Sequence, residues 1–494
     1  MAITCTGCPR RAHILLVPLS AIGHFQPILH ILYYLVDERY NDVVVTVIAD
    51  KQRIAEVAKL QKRGDFEGLD LRLEEVFGEV PHFPDPCFSV RANAISEAME
   101  RDFEPVKRRL IRERTAFEAP TSIVGDMLFD WLADLAAELK ISWFPLYSSG
   151  PSFATSVIEL PNLISQRLSP YNPEKVNALI SLPGLSFGRV RDMTGEIFEY
   201  SEYFALHFEN MKRSTALLMN TAEELDEQAG SVIALRNRLL QMAKAEGFQA
   251  PRVLSIGPMI RMPGFTSSHE PVQKVAVETS SACLQWLEKQ GKSSVLYICF
   301  GSHANITPKS MLELAHGVEA SGVPFLWVLR VKHPHTVTSV LPPEFEARTK
   351  SSGRGFIEKS WAPQGQILQH PSVGGFLSHC GWNSTLEGIC AGVPFITWPL
   401  NADQPLNARF VTDGVKIGIP ISVKDTEDDY IVVSRDEVEK TIRTLMFGEK
   451  KRELWNNVQR LKKRTAESVT QGHSSYETLH SFLREITTVS PQIR

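Results

Sequence analysis

The chain lacks what a membrane, secreted or nucleic-acid-binding protein needs. No apolar run approaches the roughly 20 residues that cross a bilayer. The one apolar stretch behind Arg10 and Arg11, His13–Leu19, is short and carries a proline, so it is not expected to be a secretory leader. Positive charge is not in excess: 53 Lys and Arg face 57 Asp and Glu, a formal net charge of -4, so no global field exists to hold a polyanion. The densest basic stretch, Lys107 to Arg109 with Arg112 and Arg114, is interleaved with Glu104, Glu113 and Glu118, the pattern of a solvated helix face. Cysteine is scarce and odd in number, seven in 494 residues, which points to reduced thiols and a cytoplasmic setting. Cys5-x-x-Cys8 has no second ligand pair and reads as neither zinc nor redox site.

Several catalytic signatures are missing too. Gly-x-Gly-x-x-Gly does not follow the first strand, which argues against a nicotinamide dehydrogenase. Gly291-Lys292-Ser293 has the tail of a phosphate-binding loop, but Trp286 stands where its leading glycine belongs. No opposed carboxylate pair marks a glycosidase. Neither an Asp-x-Asp site nor clustered histidines ask for a metal, and no cofactor is expected.

What is present is a rhythm. Short apolar or β-branched runs at His13–Val17, Val43–Ala49, Leu69–Val76, Ser122–Val124, Ile141–Leu146, Ala216–Met219 and Val253–Ile256 alternate with helical patterns such as Pro27–Leu35 and Trp131–Leu139. Uninterrupted apolar strands between helices predict a parallel sheet covered on both faces. After a stretch rich in Pro, Gly, Ser and Thr the alternation resumes, with strands at Val295–Phe300, Phe325–Leu329, Gly355–Ile357, Gly375–Leu377, Phe395–Thr397 and Ile417–Ile419. Thr307-Pro308 and Ser434 with Glu437 read as helix starts, and Asn220-Thr221 with Glu223 and Glu224 as a capped turn. The fold class is α/β: two tandem Rossmann-like domains facing across a cleft. The expected division is 1–260, a linker at 261–280, a second domain at 281–472, and a terminal helix at 473–494 that packs back on the first domain.

One segment is far richer than the rest: Trp361-Ala362-Pro363-Gln364, then Gly374 to Ser384, Glu387, Gly392-Val393-Pro394, Trp398-Pro399 and Asp403-Gln404. A strand at Gly375–Leu377 runs into the turn Ser378 to Asn383, and Ser384 is expected to open a helix with Glu387 as its capping partner. Such a helix start presents unpaired N–H groups and about half a positive charge, a natural seat for a diphosphate. His379, Asn383 and Ser384 add donors there. Trp361 offers a flat face for a base, and Asp403-Gln404 offers acceptors and donors for sugar hydroxyls.

This segment closely resembles the signature box of plant-type family 1 UDP-glycosyltransferases, and the resemblance covers nearly the whole chain. His13–Pro27 resembles the family's first strand and catalytic-histidine loop, and Asn220–Leu225 its Asn-Thr-x-x-x-Leu turn. The resemblance implies the GT-B fold and the roles that follow. Trp361 stacks on uracil while Ala362 pairs with its edge through the backbone. Gln364 and Glu387 hold the ribose. Ser302, His379, Asn383 and Ser384 bind the diphosphate. Trp382, Asp403, Gln404 and Ser148 reach the sugar, with Gln404 favouring glucose. His24 is the general base for an acceptor hydroxyl, since imidazole can take that proton near neutral pH. Asp126 orients it, with Asp130 as a rival partner. The acceptor is expected to be a small lipophilic molecule such as a flavonoid, other phenol or terpenoid. Its pocket is expected near Phe25, Phe129, Tyr147, Phe153 and the region Gly184–Phe204. The implied enzyme is an inverting, monomeric hexosyltransferase using UDP-glucose. An epimerase-like enzyme or a non-catalytic UDP-sugar-binding protein on the same fold are the alternatives.

Overall fold

The structure is a computed structural model that describes residues 11–40, 42–77, 88–114, 118–193, 195–199, 201–260, 262, 282–301, 306–329, 341–421 and 433–489. Ser302, most of the 261–280 linker and the Cys5–Cys8 pair lie outside the described residues.

The first sheet contains β1 (Ala12–Val17), β2 (Val43–Asp50), β3 (Asp70–Phe77), β4 (Ser122–Asp126), β5 (Ser142–Tyr147), β6 (Ala216–Met219) and β7 (Arg252–Ser255). They lie in the order β3-β2-β1-β4-β5-β6-β7, every neighbouring pair parallel. The second contains β8 (Val295–Cys299), β9 (Phe325–Val328), β10 (Gly355–Glu358), β11 (Val373–Ser378), β12 (Phe395–Thr397) and β13 (Gly418–Pro420), ordered β10-β9-β8-β11-β12-β13 and again wholly parallel.

The apolar runs behave as a two-sided sheet requires. In β1, Leu15 and Val17 enter one core layer and Ala12, Ile14 and Leu16 the other. In β8, Val295, Tyr297 and Cys299 face one layer and Leu296 and Ile298 its opposite. The consequence for function is topological. Strand order reverses between β1 and β4 in one sheet and between β8 and β11 in the other, and crevices open at the strand carboxyl ends at such points.

Helix starts differ from the sequence expectation at the places that matter most. The helix after β1 is Ile22–Asp37, so His24 lies in its first turn and Pro27 inside it. The helix after β11 is Trp382–Ala391 with Gly381 at its N-cap, so Ser384 lies within the helix and does not open it. Asn220-Thr221 caps nothing by side chain: the turn Glu223–Asp226 starts at Ala222 without a cap bond. Thr307 and Ser434 do cap their helices, accepting from Ser310 N and Glu437 N at 3.2 and 3.4 Å.

Helix Ser474–Thr487 returns to the first domain, where Leu479, Phe482, Leu483 and Ile486 join the layer containing Ile14 and Leu16. Phe482 meets Phe144 edge-on at 5.2 Å, and Glu485 pairs with Arg252 at 2.7 Å on the surface. Burial, not the ion pair, should carry this docking. Phe482→Ala is expected to cost about 3–5 kcal/mol and Glu485→Ala under about 1 kcal/mol, read by chemical denaturation. Equal costs would refute that division.

Candidate active site

The half of the candidate site that holds His24 sits where β1 and β4 pair, Leu16 opposite Val124 and Val17 opposite Gly125. The first turn of helix Ile22–Asp37 brings His24 over the end of β4, and its Nδ1 lies 2.7 Å from Asp126 Oδ2. Asp126 is 1% exposed, and its other oxygen accepts from Leu128 N at 3.0 Å. A buried carboxylate so held demands a proton on Nδ1, which makes Nε2 the basic nitrogen of the neutral ring. Burial disfavours the imidazolium, but the charge and hydrogen bond of Asp126, with the more distant charge of Asp403, outweigh it and raise the His24 pKa above its ordinary value. Ser148 Oγ lies 2.9 Å from the same Nδ1, so the structure places Ser148 on the imidazole. Asp130 turns elsewhere: its carboxylate takes His207 Nδ1 at 3.1 Å, and His207 Nε2 meets Tyr147 Oη at 3.1 Å.

The opposing half is built at the end of β11. His379 is clasped between two glycines, since a Cβ on either Gly301 or Gly381 would lie 2.6 Å from its Nε2. Cys380, next in the turn, has a positive φ of 63°, a conformation that costs a non-glycine residue about 1–3 kcal/mol. Asn407 Nδ2 secures that turn by donating to the Cys380 carbonyl at 3.0 Å. Gln364 is a hydrogen-bonding hub beside it. It donates to Ser384 Oγ at 2.9 Å and Glu387 Oε2 at 2.5 Å, and accepts from Tyr297 Oη at 3.1 Å. Burial raises the Glu387 pKa from 4.5 to about 7, against the pull of Gln364, so its ionisation opposes folding as pH climbs through that interval. Trp361 is 69% exposed, beside a buried Ala362; a core tryptophan would not be.

Asp403 accepts from Asn407 Nδ2 at 2.8 Å. Its pKa is raised by burial, opposed by the Asn407 bond and by the positive potential of His24 across the cleft. Gln404 is fixed by Leu400 N and Asn401 N at 2.9 and 3.2 Å and by its own bond to Asn401 Oδ1.

Two groups of the expected residues lie in the interior. The Trp382 side chain is buried between the domains. Its indole is 3% exposed, donates to the Asn220 carbonyl at 2.6 Å, packs on Phe410 at 5.6 Å, and would lie 3.0 Å from a Cβ on Gly150. It is a wedge between the domains. The four acceptor aromatics are core residues. Phe25, one position and about 100° round the helix from His24, points into the layer on the far face of the sheet, under the Arg53 guanidinium. Phe129 and Tyr147 are fully buried on the near face, and Phe153 packs edge-on against Phe204. Sequence reasoning also missed Gly301, Asn407 and Gly150 as site-shaping residues; the Gly301-Ser302 step after β8 was the available signal.

A family profile described as UDP-glucoronosyl and UDP-glucosyl transferase matches residues 238–463. UDP-glycosyltransferase 73E1 of Stevia rebaudiana is 31% identical, with 97% of each chain covered. The chain belongs to the UDP-glycosyltransferases. An anthocyanidin 5,3-O-glucosyltransferase of a Rosa hybrid cultivar is 33% identical over 72% of this glycosyltransferase and 73% of its own length. A Polygonum tinctorium UDP-glucosyltransferase capable of glucosylating indoxyl, solved with 3,4-dichloroaniline, superposes with a TM-score of 0.77 at 26% identity, covering 98% and 100% of the two chains. The two-sheet architecture of the enzyme is therefore GT-B. Among its described residues, no helix is long and apolar enough to cross a membrane.

For His24 to act as a general base it must be neutral, so with its pKa raised, activity that runs through it is expected to fall as pH drops through that raised value. Asp126→Asn removes the charge that outweighs burial. The acidic limb of kcat/KM should move to lower pH, with kcat falling by roughly 10²–10⁴-fold. A limb that stays in place would separate Asp126 from His24 chemistry.

Proposed function

We propose that this glycosyltransferase moves glucose from UDP-glucose to a hydroxyl of a small, flat, lipophilic acceptor and inverts the anomeric centre to a β-glycoside. The observation that carries this reading is the His24–Asp126 pair at one topological switch point, in electrostatic contact with Asp403 from the opposite domain. A base on one wall and sugar-binding groups on the other leave a gap in which an acceptor oxygen and an anomeric carbon can meet.

In this reading Trp361 stacks on the uracil, Ala362 pairs with its edge through backbone groups, and Gln364 and Glu387 take the ribose hydroxyls. The amino end of helix Trp382–Ala391, with Ser302, His379, Asn383 and Ser384, takes the diphosphate. Asp403 and Gln404 take sugar hydroxyls. His24 Nε2 removes the acceptor proton as the new C–O bond forms. The bond from the anomeric carbon to the diphosphate oxygen breaks on the opposite face, and its electron pair leaves with UDP. Asp126 stabilises the imidazolium, and the helix N-terminus stabilises the leaving anion in a partly enclosed site. The Rosa and Polygonum relatives, named for an anthocyanidin and for indoxyl, support an aromatic acceptor.

His24→Ala should lower kcat by roughly 10²–10⁴-fold while equilibrium UDP affinity stays nearly unchanged, and the wild-type product should show the anomeric coupling constant of a β-linkage by NMR. An α-linked product would rule out single displacement. The leaving charge is met here by a helix dipole and side-chain donors, so turnover should be unchanged in excess EDTA. Activity lost in EDTA and restored by a divalent cation would contradict that account.

A further inference from the structure

Asn220 has no role in the reading above, yet it stands at the centre of a directed chain of amide hydrogen bonds that crosses the cleft. It follows β6, is fully buried, and its Oδ1 accepts from Met259 N at 2.6 Å. Its Nδ2 donates to Asn383 Oδ1 at 3.3 Å, and Asn383 Nδ2 donates to the Gly23 carbonyl at 2.7 Å. Backbone partners at both ends fix the amide orientations: a backbone N–H must meet an oxygen, and a carbonyl must meet an N–H. The two side chains are therefore oriented consistently. Trp382 Nε1 reinforces the crossing by donating to the Asn220 carbonyl at 2.6 Å. Gly257 accommodates the amide, since a Cβ there would lie 2.6 Å from Asn220 Oδ1.

The end of the chain has a chemical cause. In an α-helix the Gly23 carbonyl would receive the N–H four residues on, but that residue is Pro27, which has none. Proline within the first two turns thus leaves the carbonyl beside His24 able to take a donor from outside the helix, and Asn383 of the opposite domain supplies it.

We infer that Asn220 is a positioning residue: with Pro27 and Asn383 it forms a relay that seats the donor-site helix Trp382–Ala391 against the helix carrying His24. Asn383 Nδ2 carries two hydrogens, so one can hold Gly23 while the other addresses a diphosphate oxygen. The same side chain then reports donor binding to the catalytic helix. A loosened relay leaves both halves of the site intact but displaces one against the other, and displacements of about 1 Å cost up to about 10²-fold in rate.

The relay rests on glycosyl transfer through His24, which wild-type turnover and His24→Ala establish independently; a silent relay variant would count against the relay alone. Asn220→Asp retains the acceptor for Met259 N and sets an oxygen against Asn383 Oδ1. Pro27→Ala offers the Gly23 carbonyl an N–H that competes with Asn383 and leaves Asn220 untouched. Each should lower kcat by about 10–100-fold while the dissociation constant for UDP, measured calorimetrically on the full chain, changes less than about 3-fold. Because both variants interrupt one chain, the double variant should be little worse than either single one. Wild-type kcat in Asn220→Asp, a loss of UDP affinity that matches the loss of kcat, or multiplicative effects in the double variant would each overturn the relay. Asn220→Ala removes the Met259 bond as well; a melting temperature lowered there but not in Asn220→Asp separates support of the Met259 segment from catalytic positioning.

Discussion

The bond between His24 and Asp126 is the constraint around which this molecule is arranged. Asp126 is 1% exposed, and its two carboxyl oxygens are met by an imidazole and a backbone N–H. That arrangement uses the crevice outside the carboxyl ends of β1 and β4, which opens where the winding of the sheet reverses. It also requires a helix that begins early enough to swing His24 over β4. The pair is thus a product of topology as much as of residue chemistry, and the balance between burial and the carboxylate charge raises the pKa of the imidazole.

The second sheet repeats the solution with different chemistry. At its own reversal, between β8 and β11, Gly301 and Gly381 close on His379, and Cys380 takes up a left-handed backbone conformation. Cys380 and Gly381 make the turn from which a helix begins at Trp382, and Gly301 from the loop after β8 packs against it. The domains are then tied directly across the cleft. Trp382 reaches Asn220, Asn383 reaches Gly23, and the partly buried Arg409 pairs with Asp192 at 2.8 Å. That ion pair joins helix Gln404–Arg409 to the weakly patterned region of the first domain, so the two domains are tied there as well.

Strands were legible in the sequence because a parallel strand buried on both faces is a short, uninterrupted apolar run, and β2, with every residue buried, shows why. Helix starts were less so, and the misplacements at Ile22 and Trp382 share a cause. Each helix begins beside a glycine without a side-chain cap, so no Ser, Thr or Asp announces it. Pro27 further suggested a first helical turn, when it lies inside the helix and frees a carbonyl for the opposite domain. Ser384 with Glu387 mimicked a capping box, yet both side chains are engaged by Gln364 from another segment. Local sequence offers a plausible partner; only the fold decides which one is within reach.

The same limit governs the aromatics and the carboxylates. Phe25, Phe129, Tyr147 and Phe153 had the character of pocket residues, but a ring's direction depends on helical phase and on which sheet face it covers, and these rings fill the core. Asp126 and Asp130 are four positions apart with equal chemistry; one meets His24 and the other His207 because the chain turns between them at the end of β4. By itself the sequence determined the α/β class, the paired parallel sheets and the family, since these follow from apolar periodicity and from a dense motif within one strand–turn–helix unit. Tertiary structure alone decided which side chains meet across the cleft, because those contacts join residues more than 150 positions apart, and no local pattern encodes such distances.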